Sequence, residues 1–156
     1  MKESNFFTLP TEKKDFQNFV NNITADGGGD NGGENGLEAL ALAIKSDWTK
    51  FSDKQRHLIV IWTDEPGHPL EKAGKPKSYP KNIPPDFNGL TDWWNGQGSI
   101  GSSSKRLIMY APDAYPWTNI GDFWKLTIHY ASPAGKDMKE EEYNQILDAI
   151  AASIGQ

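Results

Sequence analysis

His57-Leu58-Ile59-Val60-Ile61-Trp62-Thr63, with Asp64 directly after it, is the stretch that decides the fold. It is a short, nearly continuous apolar run rich in β-branched residues, the pattern of a strand covered on both faces as in a parallel sheet. Two further runs have the same character, Arg106-Leu107-Ile108-Met109-Tyr110-Ala111 and Trp124-Lys125-Leu126-Thr127-Ile128-His129-Tyr130. The segments around them carry helical spacing. Phe16, Phe19, Val20 and Ile23 recur at i, i+3, i+4 and i+7, and Leu37, Leu40, Ala41, Ile44 and Trp48 form a second stripe. Residues 88–94 suit a short helix using Leu90 and Trp94. A last helix presents Tyr143, Ile146, Leu147, Ile150, Ala151 and Ile154 on one face, with Asp137 and Glu140 spaced as a capping box. The order helix, helix, strand, helix, strand, strand, helix, with long connections between strands, reads as α/β with a mainly parallel sheet. Ile59, Ile61, Leu107, Met109, Leu126 and Ile128, with Leu40, Ile44, Ile146, Leu147 and Ile150, are the expected core.

A chain of 156 residues is the size of one compact domain, which is the expectation here. Sixteen Lys and Arg against 21 Asp and Glu give a net charge of −5, which argues against partners reached through net positive charge, nucleic acid or an anionic membrane. The absence of cysteine excludes a disulfide scaffold, a thiolate zinc site and a cysteine nucleophile. No apolar run reaches the ~20 residues that cross a bilayer. Met1-Lys2-Glu3-Ser4-Asn5 lacks the apolar stretch of a signal peptide, so a cytoplasmic location is expected. Six of the ten prolines fall within 64–86, marking a structured loop region rather than a linker.

In open α/β sheets ligands bind beyond the carboxyl ends of the strands, and Asp64 stands directly after the first strand. The second candidate is the glycine tract Gly27-Gly28-Gly29-Asp30-Asn31-Gly32-Gly33-Glu34 before the second helix. Between Lys14 and Lys45 there is no Lys or Arg, while Asp26, Asp30, Glu34 and Glu38 are present. A phosphate cradle usually includes a lysine, so a cation is the better guest, and oxygen donors suit Mg²⁺, Mn²⁺ or Ca²⁺. Plainer roles stand beside this one. Asp64 also suits a turn or helix cap, Asp30 and Glu34 suit solvated turns, and Glu34 suits the dipole of the helix N-terminus. His57 and His129 belong to strand patterns, and His68 to a Pro/Gly loop.

Taken in order, Gly27-Gly28-Gly29-Asp30, Glu34-Asn35-Gly36-Leu37-Glu38-Ala39-Leu40, the 57–63 run with Asp64, His68-Pro69-Leu70, the Tyr79-Pro80 and Pro84-Pro85 loop, Ala111-Pro112-Asp113-Ala114-Tyr115-Pro116-Trp117 and the closing helix resemble the second half of a bacterial von Willebrand factor type A domain. The resemblance implies a three-layer, Rossmann-like sheet with helices on both faces and a metal-ion-dependent adhesion site at its carboxyl end. Such a site is built from an Asp-x-Ser-x-Ser loop, a Thr or acidic ligand before a middle helix, and an Asp after the next strand. Asp64 matches the third loop; Asp30, Asn31 and Glu34 are the candidates for the second. No Asp-x-Ser-x-Ser occurs in the chain. The resemblance therefore places the start of this chain in mid-domain, without the central strand, and with Phe6-Phe7-Thr8-Leu9 as the remnant of an edge strand.

The resemblance implies a non-enzymatic protein-interaction module with an incomplete site for Mg²⁺, Mn²⁺ or Ca²⁺. Its partner would be another protein, a missing N-terminal fragment supplied in trans, or a second copy in a homodimer. Two alternatives are a Mg²⁺-dependent hydrolase using Asp64, Glu65 and His68, and a non-functional remnant of a split gene.

Overall fold

The computed structural model describes residues 2–24, 34–48, 56–70, 79–98, 100, 105–132 and 140–155. The chain divides into two compact units, Met1–Asp30 and Asn31–Gln156.

In the first unit, helix α1 spans Lys13–Asn21, starting three residues before Phe16, the first of the apolar spacing, and ending before Ile23, the last. The backbone N–H of Glu12 donates to the Thr8 carbonyl (2.8 Å), and the Thr8 N–H donates to the Glu12 carboxylate (2.5 Å). These reciprocal bonds turn the chain, and the Phe7 ring meets Phe16 and Phe19 at centroid distances of 5.8 and 6.1 Å. Residues 6–9 are thus the approach to a helix and form no strand, which corrects the edge-strand expectation.

The second unit is α/β. Strands β1 (His57–Trp62), β2 (Lys105–Pro112) and β3 (Thr127–Ser132) form a parallel sheet in the order β1-β2-β3, with Ile59 opposite Leu107 and Leu107 opposite Thr127. Helices α2 (Gly36–Lys45), α3 (Phe87–Asp92), α4 (Trp117–Phe123) and α5 (Glu140–Gly155) flank it. The central strand explains the layering, because successive side chains of a strand point to opposite faces. Leu107, Met109 and Ala111 pack with Leu37, Leu40, Ile44, Leu90, Trp117 and Ile120, while Ile108 and Tyr110 pack with Ile146, Ala149 and Ile150. No helix among the described residues is long and apolar enough to cross a membrane.

Five sequence expectations are corrected. Strand β1 is covered on one face only in part, with Val60 and Trp62 38% and 52% exposed, because it lies at an edge of the described sheet. Helix α4 stands between β2 and β3 where only a connection was expected. Strand β3 begins at Thr127, not Trp124, because Leu126 takes a left-handed backbone (φ 64°) that a strand cannot contain. Trp124 instead stacks on Trp94 (5.5 Å, 14° between planes) and donates its indole N–H to Thr91 Oγ1 at 3.0 Å. Leu126 and Ile128 are exposed rather than core. On α5 the buried face keeps Ile146 and Ile150 of the expected stripe but turns away from Leu147, which is 46% exposed, towards Ala149. The Asp137 cap lies outside the described residues.

Candidate functional site

Three chain segments converge beyond the carboxyl ends of β1 and β2. The first leaves β1. Thr63 N–H donates the last ladder bond to the Tyr110 carbonyl (3.0 Å), and its hydroxyl then accepts from Glu65 N–H (3.2 Å), closing a turn that leaves Asp64 exposed at the tip. The second leads into α2. Glu34 N–H donates to the Pro66 carbonyl (2.8 Å) and His68 N–H donates to the Glu34 carbonyl (2.9 Å), a short parallel bridge that pairs Glu34 with Gly67. The third leads into α4, where Gly67 N–H donates to the Tyr115 carbonyl (3.3 Å) and the Trp117 indole N–H donates to the Glu65 carbonyl (3.0 Å).

Two glycines make this convergence possible. A Cβ on Gly36 would stand 2.5 Å from Cη2 and 2.6 Å from Cζ2 of Trp117, and one on Gly67 would stand 2.7 Å from Cδ of Pro116. Both separations are well inside carbon–carbon contact distance, so only glycine admits the ring and the proline at these points. Trp117 itself is fully buried.

The expected site residues do not all come together. Asp64 and Glu34 are exposed and belong to the two segments that the bridge joins. Glu65 and His68 lie on the same loop, both half-buried, with their backbones engaged by Trp117 and Glu34. Asp30 and Asn31, together with Asp26, lie outside the described residues. Among the described residues no three carboxylate or imidazole groups gather closely enough to hold a metal ion. The described part of the site therefore offers two candidate oxygen donors, Asp64 and Glu34.

A further acid in this part of the chain is buried. Glu38, in the first turn of α2, is 1% exposed. Burial, with the hydrogen bond and negative charge of Glu38, pushes the Tyr79 phenol up to about 12. The signal for Glu38 was present in the sequence, since it sits three residues before Ala41 and beside Leu37 on the apolar stripe of α2. Trp117 had no such signal, because its partners are two glycines distant in sequence. His129, on β3, offers no catalytic geometry: its ring bonds to the Ala111 carbonyl at 3.1 Å, and its Cβ would be 2.8 Å from a Cβ on Gly121.

No family model, curated protein or solved structure matches the chain.

Proposed function

We propose that this chain is a non-enzymatic protein-interaction module of the von Willebrand factor type A kind, with an incomplete divalent-cation site at the carboxyl end of its Rossmann-like sheet. The observation that carries the reading is the bridge between Glu34 and Gly67, which joins the acidic segment before α2 to the loop that presents Asp64. The two segments are separated by strand β1 and some thirty residues of chain, and they meet at the end of a parallel sheet where α/β proteins bind their ligands. Their donors are oxygens, suited to Mg²⁺, Mn²⁺ or Ca²⁺. With few protein ligands the affinity is weak, and an acidic group from a partner protein would complete the coordination. Isothermal titration with Mn²⁺ or Mg²⁺ tests this. Binding in the millimolar range, about the weakest class of protein oxygen sites, is expected for the unaltered chain and is expected to vanish in Asp64→Ala. Tight binding that survives Asp64→Ala overturns the assignment.

A further inference from the structure

Strand β1 is a sheet edge among the described residues, with β2 as its one neighbour. In a parallel ladder each residue directs its N–H and C=O to one side and the next residue directs its own to the other. Thr63 N–H bonds to β2, at Tyr110, so Ile59 and Ile61 also face β2. The N–H and C=O groups of Leu58, Val60 and Trp62 therefore point outward. The side chains of these three residues lie on the α5 face, where Leu58 packs against Ile108, Tyr110 and Ile146, but Val60 and Trp62 remain 38% and 52% exposed. From Leu58 to Trp62 there is no charge, proline or bulge, the usual devices that protect an edge. The opposite edge contrasts with it. Leu107 N–H bonds to the Leu126 carbonyl, so the residues of β3 that face outward are Thr127, His129 and Ala131, a more polar row.

We propose that β1 is the interface of a homodimer, in which two copies pair β1 antiparallel about a two-fold axis at Val60 to make one continuous six-stranded sheet. The occupant is set by register and charge. Centred on Val60, the pairing sets Val60 opposite Val60, and Leu58 opposite Trp62, of the second copy. These are the residues whose backbone groups point outward in both copies, so the three pairs are all of the hydrogen-bonded kind and exchange about six bonds. Every side chain so paired is apolar, and Trp62 gains Leu58 as its cross-strand neighbour. Beyond the ladder, this pairing brings Arg56 of each copy towards the turn that carries Asp64 in the other. Arg56 is exposed, its guanidinium donating to the Ser153 carbonyl at 3.4 Å, and Asp64 is exposed. The pairing is thus complementary in charge twice over, and it closes on itself without leaving a further open β1 edge.

Asp64 serves both this pairing and the cation reading, so the test reads mass in the presence of a chelator, which keeps the two apart. Sedimentation velocity of the full chain is expected to show a dimer at ~100 μM, the range of a small strand-to-strand interface. Val60→Lys and Val60→Glu, each placing like charges face to face on the axis, are expected to be monomers with unchanged circular dichroism, and an equimolar mixture of the two is expected to dimerise. Arg56→Asp is expected to weaken the wild-type dimer about tenfold, and adding Asp64→Arg to it is expected to restore the dimer. A monomeric wild type, a dimer that persists in Val60→Lys, or variants that stay monomeric when mixed would each overturn the proposal.

Discussion

Replacing Gly36 by alanine tests the packing on which the site rests. Two effects oppose each other. Alanine favours a helix over glycine by about 1 kcal/mol in a helix interior, and by less at the first residue of α2, where Gly36 lies. Against this, the new Cβ would meet Cη2 and Cζ2 of Trp117 at 2.5 and 2.6 Å, roughly 1 Å inside contact distance. The ring cannot simply withdraw. It is fully buried, and its indole N–H is spent on the Glu65 carbonyl. Overpacking of this kind costs about 1–3 kcal/mol, and a displaced indole forfeits a further hydrogen bond worth about 1 kcal/mol. The net expectation is a destabilisation of about 1–3 kcal/mol in urea unfolding monitored by tryptophan fluorescence. Trp117→Phe removes the atoms that clash, so in that background Gly36→Ala should be neutral or stabilising, a coupling that a double-mutant cycle reads directly. If Gly36→Ala stabilises the otherwise unaltered protein, the ring is not seated on Gly36, and the account of how α2 meets the β1 loop fails.

The same packing sets other outcomes. Ile146→Ala should cost about 2–5 kcal/mol as a buried truncation, whereas Leu147→Ala, at an exposed position, should stay within roughly 0.5–1 kcal/mol; equal losses in chemical denaturation would contradict the orientation of α5. Asp86 accepts the Gly89 N–H at 2.8 Å and caps α3, so Asp86→Ala should cost about 1 kcal/mol, and no change in urea midpoint would dismiss the cap. Tyr79 is raised from 10 to about 12, so its folded form holds the proton that the unfolded chain releases. Its contribution to stability is therefore complete below pH 10 and is lost as the pH rises towards 12. Ultraviolet titration should show a late tyrosine that Tyr79→Phe removes, and a titration unchanged by that substitution would refute the burial of the Tyr79 phenol beside Glu38.

The central strand was legible because burial on both faces leaves only one kind of residue to use, whereas β1 and β3, at the sheet edges, were legible through their β-branched and aromatic runs although they are half-exposed. In β2 Leu107, Ile108, Met109 and Ala111 are all fully buried, so no polar alternation dilutes the pattern. Helix α4 was not legible for the converse reason. Its seven residues contain two buried ones, Trp117 and Ile120, and Gly121 breaks its propensity. That glycine makes sense only in three dimensions, where His129 crosses it with no room for a Cβ. The start of β3 and the face of α5 failed similarly. Leu126 and Leu147 look like core by composition, but a left-handed residue in one case and a buried face centred on Ile146, Ala149 and Ile150 in the other turn them outward.

At the site, what could be read was the position of two acids, Asp64 and Glu34, and what could not be read was the frame that holds them. Asp64 comes from a simple rule about strand ends, while the Glu34–Gly67 bridge joins single residues across some thirty positions and has no periodicity to betray it. The glycines show how this misleads. Gly36 and Gly67 lie close to acidic residues, where glycine suggests a backbone kept bare for a ligand. In the structure both are bare for Trp117 and Pro116 instead, so their missing side chains serve packing. The cation reading therefore gains nothing from these two glycines and stands on the oxygen donors of Asp64 and Glu34 alone. That separates the two tests: Gly36→Ala should change stability through Trp117, whereas Asp64→Ala, at an exposed side chain on the turn, should change cation binding with stability left within about 0.5 kcal/mol, the scale of a surface substitution.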